Sequence, residues 1–110
     1  KTIQIEATYT TKTATNFVVL IKVRNEDGSS TTPLKSADGL TYEILRKVNG
    51  SFDGNVYASG SLTYTGRMAT DKFGDECGVF TASYGPLSNI GGTYFMQIYE
   101  YGVALKTKNS

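Results

Sequence analysis

Residues 91–99 constrain the fold more than any other part of this chain. Two glycines break the chain there, and large apolar side chains then follow at every second position. Because successive side chains of a β-strand point to opposite faces of a sheet, this alternation predicts a strand with two different faces. We expect the face that carries Tyr94, Met96 and Ile98 to lie in the core. The opposite face carries Phe95, Gln97 and Tyr99.

The same period of two recurs along most of the sequence, and no stretch keeps an apolar period of 3.6 over three turns. Asn49-Gly50 lies between two such runs and predicts a type I′ hairpin turn, which needs positive φ at both central residues. Residues 66–78 form the main stretch that we interpret as irregular. The predicted strands are residues 2–9, 17–24, 40–48, 51–59, 61–65, 79–84, 93–101 and 103–106.

This spacing of short strands predicts an all-β fold, an antiparallel β-sandwich of about seven or eight strands. A chain of 110 residues has the usual size of one domain, so we expect a single domain over residues 1–110. Eight tyrosines and five phenylalanines supply large side chains for a two-layer core.

The sequence lacks the residues of most catalytic and metal sites. It contains no histidine and a single cysteine, so Ser-His-Asp triads, Cys-His pairs and zinc sites built on His or several Cys are excluded. No nucleotide-binding glycine motif is present. We therefore expect a protein that is not an enzyme and that uses no cofactor. Cys77 is interpreted as a small, partly buried side chain, with an intermolecular disulfide or a reactive thiol as alternatives.

Asp71, Asp75 and Glu76 form the best carboxylate cluster of the sequence. We interpret them as part of a solvated loop. Two alternatives stay open, since oxygen ligands in a loop suit calcium and a carboxylate pair in a cleft can act as general acid and base. These three residues are therefore weak candidates for a metal site. Asn49-Gly50-Ser51 also fits the acceptor pattern for N-glycosylation, although the predicted turn already accounts for it.

Charge argues against a polyanionic partner. Eleven basic and ten acidic residues leave a net charge of +1, and neither sign forms a long block. Nucleic-acid binding normally requires a basic patch, so we expect none. No apolar run reaches the roughly 18 residues that a membrane-spanning helix needs. We expect any membrane attachment to depend on an anchor outside this sequence.

Aromatic residues supply the remaining candidates for a binding surface. Phe95, Tyr99 and Tyr101 would share one face of a strand, and an outward orientation would make them an exposed strip. Exposed aromatic side chains often mark contacts with proteins or sugars. The alternative is that these side chains take part in core and cross-strand packing.

Four segments resemble the Ig-like and macroglobulin-like sandwich modules of prokaryotic surface proteins. They are residues 38–44 (DGLTYEI), 60–65 (GSLTYT), 78–82 (GVFTA) and 92–98 (GTYFMQI). The resemblance covers most of the chain after Thr15, but the paired cysteines and core tryptophan of antibody domains are absent. It implies a scaffold or adhesion module located outside the cytoplasm, and it brings no catalytic residue.

The sequence therefore leads to one principal functional hypothesis. We expect a structural or interaction domain of a cell-surface or secreted assembly, such as an adhesin, a pilus or archaeal filament component, or an envelope-layer protein. Its partner would be a protein, and a strand edge could support self-association. The alternative is a carbohydrate-binding or receptor-binding β domain, including the phage receptor-binding type.

Overall fold

The computed structural model describes residues 3–25, 27–105 and 107–108, and the side chains of residues 5–25 and 27–105. Strands account for most of this part of the chain, and none of the described residues forms a helix that could cross a membrane. The strands are β1 (Ile3–Lys12), β2 (Asn16–Asn25), β3 (Thr31–Pro33), β4 (Leu40–Val48), β5 (Ser51–Ser61), β6 (Thr63–Thr70), β7 (Glu76–Ser83), β8 (Thr93–Glu100), β9 (Val103–Ala104) and β10 (Thr107–Lys108).

These strands form two sheets that pack face to face, so the predicted all-β sandwich is confirmed. Sheet A has the order β10-β1-β2-β7-β6, and β3 also pairs with β2. Sheet B has the order β5-β4-β8-β9. All of these pairs are antiparallel except β1 with β10, which run parallel.

The core lies between the two sheets and contains the face of β8 that the alternation predicted. Met96 is 2% exposed and Ile98 is fully buried, whereas Tyr94 is half-buried and packs against the core from its margin. The opposing sheet contributes apolar side chains at the matching alternate positions of β2 and β7. The fully buried aliphatic and aromatic residues of this core include Phe17, Val19, Ile21, Leu40, Ile44 and Phe80.

The hairpin predicted at Asn49-Gly50 is confirmed. β4 ends at Val48, β5 begins at Ser51, and the two residues between them have φ angles of 52° and 80°. Positive φ at both central positions is the defining feature of a type I′ turn, whose twist matches that of the strands.

The interpretation of residues 66–78 as irregular was wrong for most of that segment. β6 continues to Thr70 and β7 begins at Glu76, so only residues 71–75 lie outside the strands. The pairing of β6 with β7 is irregular between Tyr64 and Met68, where three residues of β6 leave the ladder. This part of β6 contains polar residues and a glycine, so it lacks the alternation of apolar and polar residues by which the other strands were predicted.

Candidate functional site

The outer face of sheet B carries a row of apolar side chains that crosses three strands. Leu45 of β4 is paired with Val56 of β5 on one side and with Phe95 of β8 on the other. Paired residues of an antiparallel ladder point to the same face, and Phe95 faces away from the core because Met96 faces into it. Phe52 is paired with Lys47 at the neighbouring position on that face. We refer to Leu45, Phe52, Val56 and Phe95 as the apolar row.

The apolar row is most exposed at its β5 end. Phe52 and Val56 are each 51% exposed, while Leu45 is only 9% exposed because its neighbours on both sides cover it. The amino group of Lys47 lies 5.0 Å from the centroid of the Phe95 ring, which places a cation beside the row. The apolar surface therefore reaches the edge of the sheet instead of ending within it.

Tyr99 lies on the same face as Phe95, but polar contacts surround it. Its hydroxyl group donates a hydrogen bond of 2.5 Å to Oε1 of Glu43, and this bond raises the pKa of Tyr99. Gln97, which separates the two aromatic residues, donates from Nε2 to the carbonyl oxygen of Leu105 at 2.9 Å. Phe95 and Tyr99 are thus both half-buried, in an apolar and a polar setting respectively.

Tyr101 does not continue the strip that the sequence predicted, because β8 ends at Glu100. Tyr101 and Gly102 form the turn into β9, with φ angles of 46° and 80°. The Tyr101 ring is 75% exposed and packs on Gly39, where an added Cβ would lie 2.6 Å from the ring. Its backbone amide also donates to the carbonyl oxygen of Gly39 at 2.8 Å. A binding role for these aromatic residues stays a prediction.

Two of the three predicted carboxylates belong to a charge cluster on the outer face of sheet A. Nζ of Lys22 lies 2.7 Å from Oδ2 of Asp71 and 2.6 Å from Oδ2 of Asp75. Arg24 donates to Glu6 at 2.6 Å and to Asp75 at 3.2 Å. Glu6 also lies near Lys22, with 3.8 Å between Oε1 and Nζ. These five residues define the charge cluster.

The turn between β6 and β7 brings the carboxylates to Lys22. The Asp71 amide donates to the Asp75 carbonyl oxygen at 2.9 Å, and the Gly74 amide donates to the Asp71 carbonyl oxygen at 3.1 Å. Oδ1 of Asp71 accepts the amides of Phe73 and Asp75, and Gly74 has a φ of 87°. This is a type I turn followed by a glycine bulge. It places the Phe73 ring centroid 5.1 Å from Nζ of Lys22.

The expectation that Asp71, Asp75 and Glu76 lie in a solvated loop was therefore wrong for Asp71, whose side chain is fully buried, while Glu76 is exposed. Burial would by itself raise the pKa of Asp71, but hydrogen bonds from Lys22 and the turn amides outweigh burial, and the pKa is lowered. The hydrogen bond from Lys22 also lowers the pKa of Asp75. Within the described side chains, no group of three or more His, Cys, Asp or Glu residues is arranged to hold a metal ion.

The buried position of Lys22 is the feature that sequence reasoning missed. Val18 and Leu20 precede it at alternate positions of β2, and two apolar residues on an outward face are a signal that something covers that face. Leu20, Cys77 and Val79 form a small buried cluster there, with Val18 against it. Cys77 is a small packed side chain, 1% exposed and so more deeply buried than the partly buried side chain that was predicted, and this burial raises the pKa of its thiol to about 12.

Two surface depressions accompany these features. A cleft of about 390 Å³ lies at one end of the sandwich, between the β1–β2 turn and the segment that leads into β8. Lys12 in its wall donates to the carbonyl oxygen of Tyr94 at 2.7 Å. A groove of about 420 Å³ lies on the outer face of sheet A, with Val18, Leu20 and Val79 among its lining residues.

Comparison of the chain with protein-family models, with curated proteins and with solved structures gives no significant match.

Proposed function

We propose that this chain is a non-enzymatic Ig-like interaction module of a secreted or cell-surface assembly. The proposed assembly is an adhesin, a pilus or archaeal filament, or an envelope layer. The order β1-β2-β7-β6 in sheet A and β5-β4-β8-β9 in sheet B supports the Ig-like part. When the short strands β3 and β10 are left aside and the others are lettered in chain order, this order matches the A-B-E-D sheet and the C-F-G sheet with one added C′ strand that immunoglobulin domains have.

The apolar row is the observation that carries a binding function. Two large side chains of this row, Phe52 and Val56, are half-exposed on one strand. Val56 is paired with Leu45, which is paired with Phe95 on its other side, and Phe52 is paired with Lys47. An apolar patch with a polar border is typical of a protein-binding surface, because its burial removes apolar area from water. Aromatic anchors also lose little conformational entropy on binding.

Polar residues border the apolar row on the side toward Tyr99. Ser59 of β5 and Gln97 of β8 are both paired with Glu43 of β4, so one polar row lies directly beside the apolar one. An apolar centre with a polar rim is the usual arrangement of an interface between proteins. We infer that Phe52, Val56 and Phe95 supply the contact area, and that this polar row sets the orientation of the partner.

Site-specific photocrosslinking tests the proposal in the cells that produce the protein. A photoreactive phenylalanine analogue replaces Phe52 in one variant and Phe73 in another. Position 73 is the matched control, since both residues are phenylalanines of about half exposure, 51% and 50%, and Phe73 lies in the β6–β7 turn over sheet A, whereas Phe52 lies on sheet B. We expect a protein adduct of defined mass from position 52 and none, or a much weaker one, from position 73.

Equal adducts from both positions, or none from position 52, would contradict the proposal. Binding on a glycan array that is lost when Tyr99 is changed to Ser would instead favour the carbohydrate-binding alternative. Labelling of unpermeabilised cells with an antibody against the chain, together with immunoblotting of the culture medium, tests the location. Absence of the chain from both the cell surface and the medium would contradict a surface or secreted assembly.

A further inference from the structure

Strand β5 is the long free edge of sheet B. It runs from Ser51 to Ser61 and pairs with β4, and no other described strand pairs with its outer side. The edge of sheet A formed by β6 is different. That strand carries Arg67 and leaves the regular ladder between Tyr64 and Met68, and both features discourage the addition of another strand.

The second half of β5 lacks the devices that usually protect an edge. Residues 56–61 (VYASGS) contain no charged residue and no proline. The pairing with β4 is continuous from Ala58 to Ser61, whereas its irregularities lie at residues 52–57. Asp53, the one charged residue of β5, is turned toward Arg46, with Nη1 and Oδ2 3.1 Å apart. The free backbone groups of residues 58–61 can therefore accept a further strand.

We propose that β5 pairs in an antiparallel manner with β5 of a second copy of this chain. This inference deepens the proposed function, on which it rests, by naming the partner of the β5 edge of sheet B. The pairing would extend sheet B from four to eight strands. Since β5 ends at Ser61, Val56 and Phe52 of each copy would lie beyond the end of the partner's β5, and both apolar rows would stay open to other partners.

Charge favours a second copy as the occupant of this edge. A two-fold symmetric contact places each segment against itself, so any charge within it would meet a like charge. Residues 56–61 carry none, and a net charge of +1 leaves little long-range repulsion between two copies.

The strength of the contact follows from its size. Four regular residues per strand cover far less area than the roughly 1,200 Å² of a standard stable interface. We therefore expect a weak, concentration-dependent dimer. In an assembly that displays many copies, such weak contacts add through effective concentration.

Sedimentation velocity over a wide concentration range, combined with hydrogen exchange, tests the pairing. The test variant is Ser59→Lys, which places a charge on the exposed outer face of β5. The control is Thr63→Lys, the same kind of change at an exposed position of the β6 edge. We expect Ser59→Lys to weaken dimerisation by about tenfold or more, and Thr63→Lys by less than about twofold. Thermal unfolding of dilute samples checks that both variants fold.

Hydrogen exchange distinguishes strand pairing from other modes of association. Every second amide of residues 58–61 points away from β4, and these amides should gain protection as the wild-type concentration rises. A protein that stays monomeric at millimolar concentration would overturn the inference. So would a dimer that Ser59→Lys leaves intact and that gives residues 58–61 no added protection. Neither result would contradict a crosslink from position 52 to a different protein. The proposed function can therefore hold even when this inference fails.

Discussion

Nζ of Lys22 lies 2.7 Å from Oδ2 of Asp71, although 49 positions separate the two residues, and their side chains are 1% and 0% exposed. A buried ion pair is tolerated only when further hydrogen bonds compensate for the loss of hydration. Here Asp75 adds a second carboxylate to Lys22, and two backbone amides bind the other oxygen of Asp71. The β6–β7 turn is thereby fixed over the outer face of sheet A.

The Lys22→Met variant should lower the free energy of unfolding by about 3 kcal/mol, because it leaves the buried Asp71 carboxylate without its cation. Urea unfolding measures the change. Lys72→Met is the control, since Lys72 is an exposed neighbour on the same turn, and its effect should stay below about 0.5 kcal/mol. Similar losses in the two variants would mean that the buried pair adds nothing specific. A Lys22→Met/Asp71→Asn double variant should lose less stability than the sum of its single changes.

Acid should weaken the fold through the same cluster. Asp71 and Asp75 have folded-state pKa values below the ordinary 3.8, so their contribution is present above about pH 4 and is lost as the pH falls through the folded values. The free energy of unfolding should therefore decrease below pH 4 in the wild type and decrease less in Lys22→Met. Urea unfolding between pH 7 and pH 2 measures both curves, and parallel curves would contradict this assignment.

At alkaline pH the charge cluster should lose stability as the pH rises, the opposite direction to the acid range. Burial would lower the pKa of Lys22, but its bonds to Asp71 and Asp75 prevail and raise the pKa above 10.5. The contribution of Lys22 is complete below pH 10.5 and is lost as the pH rises through the folded value. The stability difference between wild type and Lys22→Met should therefore shrink above that pH, and a difference that grows would contradict the prediction.

Gly78→Ala should be among the most destabilising single changes in the chain. A Cβ at this position would lie 1.8 Å from the backbone carbonyl oxygen of Leu34, and a backbone atom cannot move aside as a flexible side chain can. Leu34 is itself held by the bond from its amide to the carbonyl oxygen of Ile21. We expect a loss of about 3 kcal/mol or more in the free energy of unfolding. A loss below about 1 kcal/mol would show that this segment is free to shift.

Gly50→Ala tests the type I′ turn between β4 and β5. Gly50 has a φ of 80° and open space around its Cα, so the cost is conformational and should be about 1 kcal/mol. Gly85→Ala is the matched control. An added Cβ at Gly85 would also meet open space, but Gly85 does not have a positive φ. Its replacement should therefore be neutral or slightly stabilising in thermal unfolding. Equal losses at both sites would argue against the turn.

Several elements of the fold could be predicted because their signals are local. The alternation in residues 93–100 and the Asn49-Gly50 turn depend on neighbours in sequence, and both are confirmed. The end of β8 was placed one residue too late, because Tyr101 is a good strand residue. Only the turn geometry and the packing of Tyr101 on Gly39 exclude it from the strand. Tertiary context there overrides the local preference.

The sequence by itself determined the fold class, the core face of β8, the β4–β5 hairpin and the lack of histidine chemistry, since each follows from residue type or period. Only the tertiary structure decided where Lys22 and Asp71 meet, and that Phe52, Val56 and Phe95 form one row. Those contacts depend on the pairing of strands distant in sequence and on a turn that folds back over a sheet face. A one-residue change in strand register would reverse every such face, and side-chain pattern alone does not fix the register between distant strands.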